Sequence, residues 1–128
     1  MRLQSLGKLP AGCTPVEGNA LASNSFLDAI RPATTFVQLV GVAHPGPAKT
    51  AEFESIDLVA GREAVVGAVG AGIQHFVYVS VAQPAPMMKA CIAVRAECET
   101  LIRESGLNAT ILRPWYVLGP GHRWPSRL

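Results

Sequence analysis

A chain of 128 residues has room for one domain and can bury roughly two thirds of its unfolded surface. With 49% hydrophobic and 16% charged residues, it is neither a disordered polyelectrolyte nor a coiled coil. The net charge is +2, no two basic residues are adjacent and no 18-residue apolar run is free of charge, so neither nucleic acid nor a membrane is an expected partner.

Gly and Pro together make about 17% of the chain, above the usual ~12%, which implies many short elements. Residues 1–13 are weakly patterned and lack the apolar core of a secretory signal. Residues 14–21 (TPVEGNAL) read as a short strand ending in a turn. Ser23, Asn24 or Ser25 is placed to cap a short helix, SFLDAI, that stops before Pro32. Residues 34–40 (TTFVQLV) are β-branched and apolar, as in a buried strand. Residues 41–49 (GVAHPGPAK) form a loop.

Residues 51–71 read as a long helix. Phe53, Ile56, Ala60, Ala64 and Gly67 recur at three- and four-residue spacing, and Gly72 suits a left-handed stop. Asp57 and Glu63 on this helix read as solvated or cap-like charges. Residues 75–80 (HFVYVS) are a second continuous apolar strand, followed by the Pro-rich loop VAQPAP. Residues 87–105 form a second long helix with Met87, Cys91, Val94, Cys98 and Leu101 on its apolar stripe. Glu99 stands one turn before Arg103, and Gly106 ends the helix. Residues 108–112 (NATIL) make a last strand before the tail RPWYVLGPGHRWPSRL.

Helices alternating with apolar strands indicate a doubly wound parallel sheet in a three-layer α/β fold, covered on both faces. Such sheets bind ligands beyond the carboxyl ends of their strands, here near residues 19–21, 41–44, 80–83 and 113–116. Cys91 and Cys98 are seven helical residues apart, roughly 10 Å, too far for a disulfide. Three reduced thiols fit a cytoplasmic protein. His44, His75 and His122 lack metal-ligand spacing, so no metal is expected.

The stretches TTFVQLVG, GIQHFVYVS and SGLNATILRPWYVLGPG, with a helix carrying Asp57 between the first two, resemble the short-chain dehydrogenase/reductase superfamily. The atypical NmrA-like or NAD-dependent epimerase-like branch fits best, from about residue 16 to residue 125. The resemblance implies a partial Rossmann-like fold, with residues 1–128 a single truncated NAD(P)-binding-like domain that begins near the family's third strand. The family's Gly-rich phosphate turn joins a strand to a helix. Nothing like it precedes Val16. The string Gly67-Ala-Val-Gly70-Ala-Gly72 closes a helix and reads as helix-end packing.

Further site residues follow from the resemblance. Ser80 matches the family's strand-end Ser, which holds a substrate oxygen. The family's Tyr and Lys, four residues apart on the next helix, correspond to Cys91 and Arg95. In the family, the Lys charge lowers the phenol pKa for proton exchange with substrate. A Cys is too short to reach the same atom, while Arg95 keeps a charge able to bond a ribose. Asn19, with Ala20 beside it, falls where an acidic residue often meets adenine. Gly41 and Val42 would lie under the ribose. Pro114 and Trp115, with Tyr116 and Trp124, would pack over the nicotinamide. Bland readings stand beside these: a strand-end Ser, an apolar filler for Cys91, a turn Asn, and an aromatic cluster over a sheet edge.

Three functional readings result. The first is a degenerate NAD(P)-binding-type domain, binding NAD or NADP weakly or not at all and, if active, an oxidoreductase or epimerase. The second is a non-catalytic regulatory or interaction module that forms a homodimer through an open sheet edge. The third is a gene fragment without independent function.

Overall fold

The computed structural model describes residues 7–42, 46–83, 88–115 and Pro120. A 3-10 turn, Ser23–Ser25, leads into α1 (Leu27–Ile30) and then β1 (Thr35–Gln38). A second 3-10 turn, Pro47–Lys49, opens a continuous helical run made of α2 (Thr50–Glu52), a π-helical stretch (Phe53–Leu58) and α3 (Val59–Ala71). β2 (His75–Val79), α4 (Lys89–Glu104) and β3 (Ala109–Leu112) complete the order. The strands form one parallel sheet, β1-β2-β3, with Thr35 opposite His75 and Phe76 opposite Ala109. Each crossover passes through a helix, as parallel pairing requires. This is the partial Rossmann-like α/β fold that the alternation of elements implies.

The strand period of two divides each strand between the faces of the sheet. Phe36, Phe76, Tyr78, Ala109 and Ile111 face a core completed by Ala64 and Ala68 of α3 and Cys98 and Ile102 of α4. Phe36 stacks on Phe76 with ring centroids 5.4 Å apart, and Phe26 leans against Phe36 at 6.2 Å. The other face carries Val37 and Leu112, which are 51% and 48% exposed. The described helices therefore gather on one face of the sheet.

Small residues on α3 set how closely its neighbours approach. A Cβ on Gly61 would meet Cys98 Sγ of α4 at 2.5 Å, and one on Gly67 would meet the Phe26 ring at 2.6 Å. A Cβ on Gly70 would meet Leu27. The glycine string thus packs a helix end, as its place in the sequence implies. Gly72 has φ 69° and ends α3 in the left-handed region; Gly106, with φ 76°, follows α4 in the same way.

Residues 14–21 are not a strand. Pro15 has no N–H to give to a ladder, and Asn19 folds the chain locally. Its Oδ1 accepts the Leu21 N–H at 3.0 Å, and its own N–H goes to Ser25 Oγ at 2.9 Å. Ser23, Asn24 and Ser25 do not cap α1 through their side chains; they form the 3-10 turn before it. Glu63 takes the cap-like role, accepting the Ser23 N–H at 2.6 Å. Asp57 is not solvated but 3% exposed, because it stands one turn after Phe53 on the inward face of the helical run.

The Gly61–Cys98 approach is testable. Gly61→Ala should lower unfolding free energy by about 1–3 kcal/mol through overpacking. Urea melts of Gly61→Ala, Cys98→Ala and the double variant should give a double-variant loss smaller than the sum. Strict additivity would show that the two residues are not in contact.

Candidate active site

The carboxyl ends of the three strands meet two buried polar clusters, both reached from α4. The first is centred on Asp57 and Arg95. Asp57 Oδ1 accepts the Val42 N–H at 2.7 Å, and Asp57 Oδ2 accepts from Arg95 Nη2 at 2.9 Å. Arg95 Nη1 donates to the Val79 carbonyl at 3.1 Å and to the Tyr78 hydroxyl at 3.4 Å. The two charged side chains are 2% and 13% exposed. Arg95 Nε is buried without a hydrogen-bond partner among the described residues. The guanidinium also lies 5.8 Å from the Tyr78 ring centroid. Gly41 is held to a bare hydrogen at Cα, because a Cβ there would collide with Arg95 Nη2.

Burial dominates the acid–base character of this cluster. It pushes the Tyr78 phenol well above its ordinary value, and the nearby Arg95 only partly opposes that. It raises the Cys91 thiol too, again against the Arg95 charge. Cys91 sits among Phe53, Val94, Val42 and Val81. This is the environment of a neutral apolar filler, not of a thiolate nucleophile.

The second cluster is centred on Glu99, which is 1% exposed. It accepts from Arg113 Nη2 at 2.5 Å and Nε at 3.0 Å, a two-pronged pair, and from Arg103 Nη2 at 2.9 Å. Ser80 Oγ donates to it at 2.6 Å and Gln83 Nε2 at 3.3 Å. The Arg113 hydrogen bonds, helped by Ser80 and Arg103, outweigh desolvation and hold the Glu99 carboxyl at about 2. Main-chain bonds join the same strand ends: Ser80 N–H to Leu112 O at 2.7 Å and Ala82 N–H to Pro114 O at 3.1 Å.

The structure brings Gly41, Val42, Cys91 and Arg95 together, and it ties Ser80 to the Glu99 cluster. Pro114 is joined to that end through Ala82. Trp115 is 60% exposed, and Asn19 is an exposed turn residue. Ala20 lines a groove beside β1 with Val16, Phe26, Phe36, Leu39 and Val40. Tyr116, Trp124, His44 and His122 lie outside the described residues, as do Met87 and most of the loop after Gln83. Sequence reasoning missed Asp57, Tyr78, Gln83 and Arg113 as polar partners. Two of these carried a usable signal: Tyr78 shares the inward parity of Phe76, and Asp57 falls one turn after Phe53 on the buried helical stripe. Among the described residues, no group of His, Cys, Asp and Glu is placed to hold a metal ion, and no helix is long and apolar enough to cross a membrane.

No protein-family model matches the chain, and no curated protein matches it either. Solved structures do match. The Bordetella bronchiseptica enzyme WbmH, crystallised with NAD+, superposes with a TM-score of 0.74 at 20% identity over 97% of this chain. The fold is a partial Rossmann-like one. WbmG from the same organism, crystallised with NAD, gives a TM-score of 0.65 at 18% identity over 81% of the chain. A nucleoside-diphosphate-sugar epimerase from Staphylococcus aureus gives 0.64 at 16% identity over 84%. The chain spans 47% of the WbmH chain and 38% of each of the other two. At these identities the likeness is one of fold.

Two outcomes follow from the clusters. Arg95→Met should cost about 3–5 kcal/mol in a urea melt, because it leaves the Asp57 carboxylate buried and unpaired. Adding Asp57→Asn should recover part of that loss; a double variant as unstable as the two losses summed would deny the coupling. Glu99 contributes to the pH dependence, since its carboxyl in the folded chain lies below its ordinary value. Its contribution to stability is fully present above about 4.5 and is lost as pH falls from there toward about 2. Glu99→Gln should flatten the acid limb of stability against pH in that window, and an unchanged limb would mean that Glu99 does not carry it.

Proposed function

We propose that the chain is an NAD(P)-binding-type Rossmann domain, related to NmrA-like reductases and nucleotide-sugar epimerases, in which the dinucleotide grip and hydride-transfer chemistry are weak or lost. The observation that carries this reading is that the polar groups assigned to ligand are already bonded within the protein. Ser80 gives its hydroxyl to Glu99. Arg95 spends both Nη groups on Asp57, Val79 and Tyr78. The Val42 N–H is taken by Asp57. The Ser80 hydroxyl, the Arg95 Nη groups and the Val42 N–H, which would meet the dinucleotide, are therefore committed within the chain and do not fit it as they stand. If catalysis is retained, Ser80 would position a substrate oxygen, Arg95 would hold the ribose and Cys91 would be a poor proton donor. Three free thiols support a reducing, cytoplasmic setting.

The second reading is the non-catalytic module that pairs through an open sheet edge as a homodimer. The uncharged segment beside β1 favours it: Val37 and Leu39 are 51% and 69% exposed.

Isothermal titration with NADH and with NADPH tests the first reading. Expected is no saturable heat, or a dissociation constant weaker than about 1 mM; micromolar affinity for either would overturn it. Cys91→Tyr with Arg95→Lys should not create reductase turnover in a steady-state assay, and measurable turnover would contradict the assignment of a lost site.

A further inference from the structure

We infer that Glu99 and Arg113 form a latch at the carboxyl end of β2, and that residues 113–115 are the strap it holds, free to lift while the sheet stays folded. The device stands apart from whether a dinucleotide binds. Val79 and Leu112 are the last paired residues of β2 and β3, yet the two chains continue side by side beyond them. The Ser80 N–H donates to the Leu112 carbonyl at 2.7 Å, and the Ala82 N–H donates to the Pro114 carbonyl at 3.1 Å. Pro114 has no N–H to return.

The two segments are pinned unequally. After β2, Ser80 is buried and Val81 packs against the cluster of Phe53, Cys91 and Val94. After β3, Arg113 and Trp115 are exposed and Pro114 is half-buried. Among the described residues, no buried apolar side chain therefore holds the strap down. Its pins are the Ala82–Pro114 bond and the two prongs of Arg113 on Glu99, Nη2 at 2.5 Å and Nε at 3.0 Å.

The latch can open because its halves differ in hydration. The Glu99 side chain is 2% exposed and fixed on α4, whereas that of Arg113 is 46% exposed. The guanidinium can trade the carboxylate for water where it stands, at small net cost. Glu99 is not stranded when Arg113 leaves, since Ser80, Gln83 and Arg103 still bond it. Arg103 reaches the same carboxylate from within α4, one turn on, and touches neither strand-end segment. Arg113 is thus the partner of Glu99 that the strap carries, and lifting the strap parts Pro114 from Ala82 beside Ser80.

Amide hydrogen exchange read by nuclear magnetic resonance tests this. In the wild-type chain, the Ala82 N–H should exchange through a local opening, with little dependence on denaturant. The Phe76 N–H begins the same ladder by bonding the Asn108 carbonyl at 2.9 Å, and it should exchange with the steep dependence of global unfolding. Arg113→Ala should speed Ala82 exchange about tenfold or more, because opening breaks the bond that this change removes. Arg103→Ala should leave the Ala82 rate unchanged, because its bond to Glu99 survives in the open form. Equal denaturant dependence at Ala82 and Phe76 would overturn the latch. So would an Ala82 rate that ignores Arg113→Ala, or one that answers Arg103→Ala to the same extent. Should Arg113→Ala fail to fold, the denaturant dependence of the wild-type chain decides alone.

Discussion

The buried ion pair between Asp57 and Arg95 is the constraint on which the arrangement of this half-sheet depends. Neither partner is exposed enough to be hydrated, so each must find its hydrogen bonds inside the protein. The bonds they find come from four separate places: the π-helical stretch, the loop after β1, β2 and α4. Removing either charge strands the other, which makes the pair a joint rather than an independent stabiliser. The glycine at position 41 follows from it, since only a residue without Cβ lets the chain pass Arg95.

That joint also decides what the strand ends can do. In a parallel sheet, the carboxyl ends are where a ligand finds free amides, hydroxyls and cations. Here the same positions are consumed by two self-contained polar clusters. Ser80 is the clearest case. Its place at the end of β2 is that of a substrate-orienting hydroxyl, yet it is 3% exposed and committed to a carboxylate that three other groups also bond. A ligand that recruited Ser80 would have to compete with a charge-assisted bond in a dry environment. The role implied by residue identity thus competes with the partners that residue has in the structure.

Much of the fold was legible because it rests on short-range periodicity. The apolar runs of β1, β2 and β3, the stripe of α3 and the glycines at 72 and 106 are local signals, and the structure follows them. The Glu99–Arg103 pair was legible for the same reason, being one helical turn. What escaped is non-local. Asp57 and Arg95 are 38 residues apart, and Glu99 and Arg113 are 14 apart across a helix–strand junction. No spacing rule connects them. Asp57 looked solvated because it is charged, although it stands one turn after Phe53 on the buried stripe with Ala60 and Ala64. Residues 14–21 looked like a strand because β-propensity describes a chain that has a neighbour to pair with, and Pro15 and Asn19 favour a turn instead.

The sheet's two faces were built under unequal demands. On one, α3 and α4 come close because Gly61, Ala64, Ala68 and Cys98 are small, and the stacked Phe36 and Phe76 rings fill the space between sheet and helices. On the other, branched apolar side chains stand open to water among the described residues. Val37 and Leu112 belong to strands at opposite edges, so the open surface runs the full width of the sheet. Every Å² of apolar surface left in water forfeits about 25 cal/mol of stabilisation, so a small sheet with one dry face gains by acquiring a cover or more strands. The first cluster cannot supply either, since its bonds are already closed within the chain. The polar groups at the strand ends are spent inside the chain, while the open face of the sheet offers apolar contact.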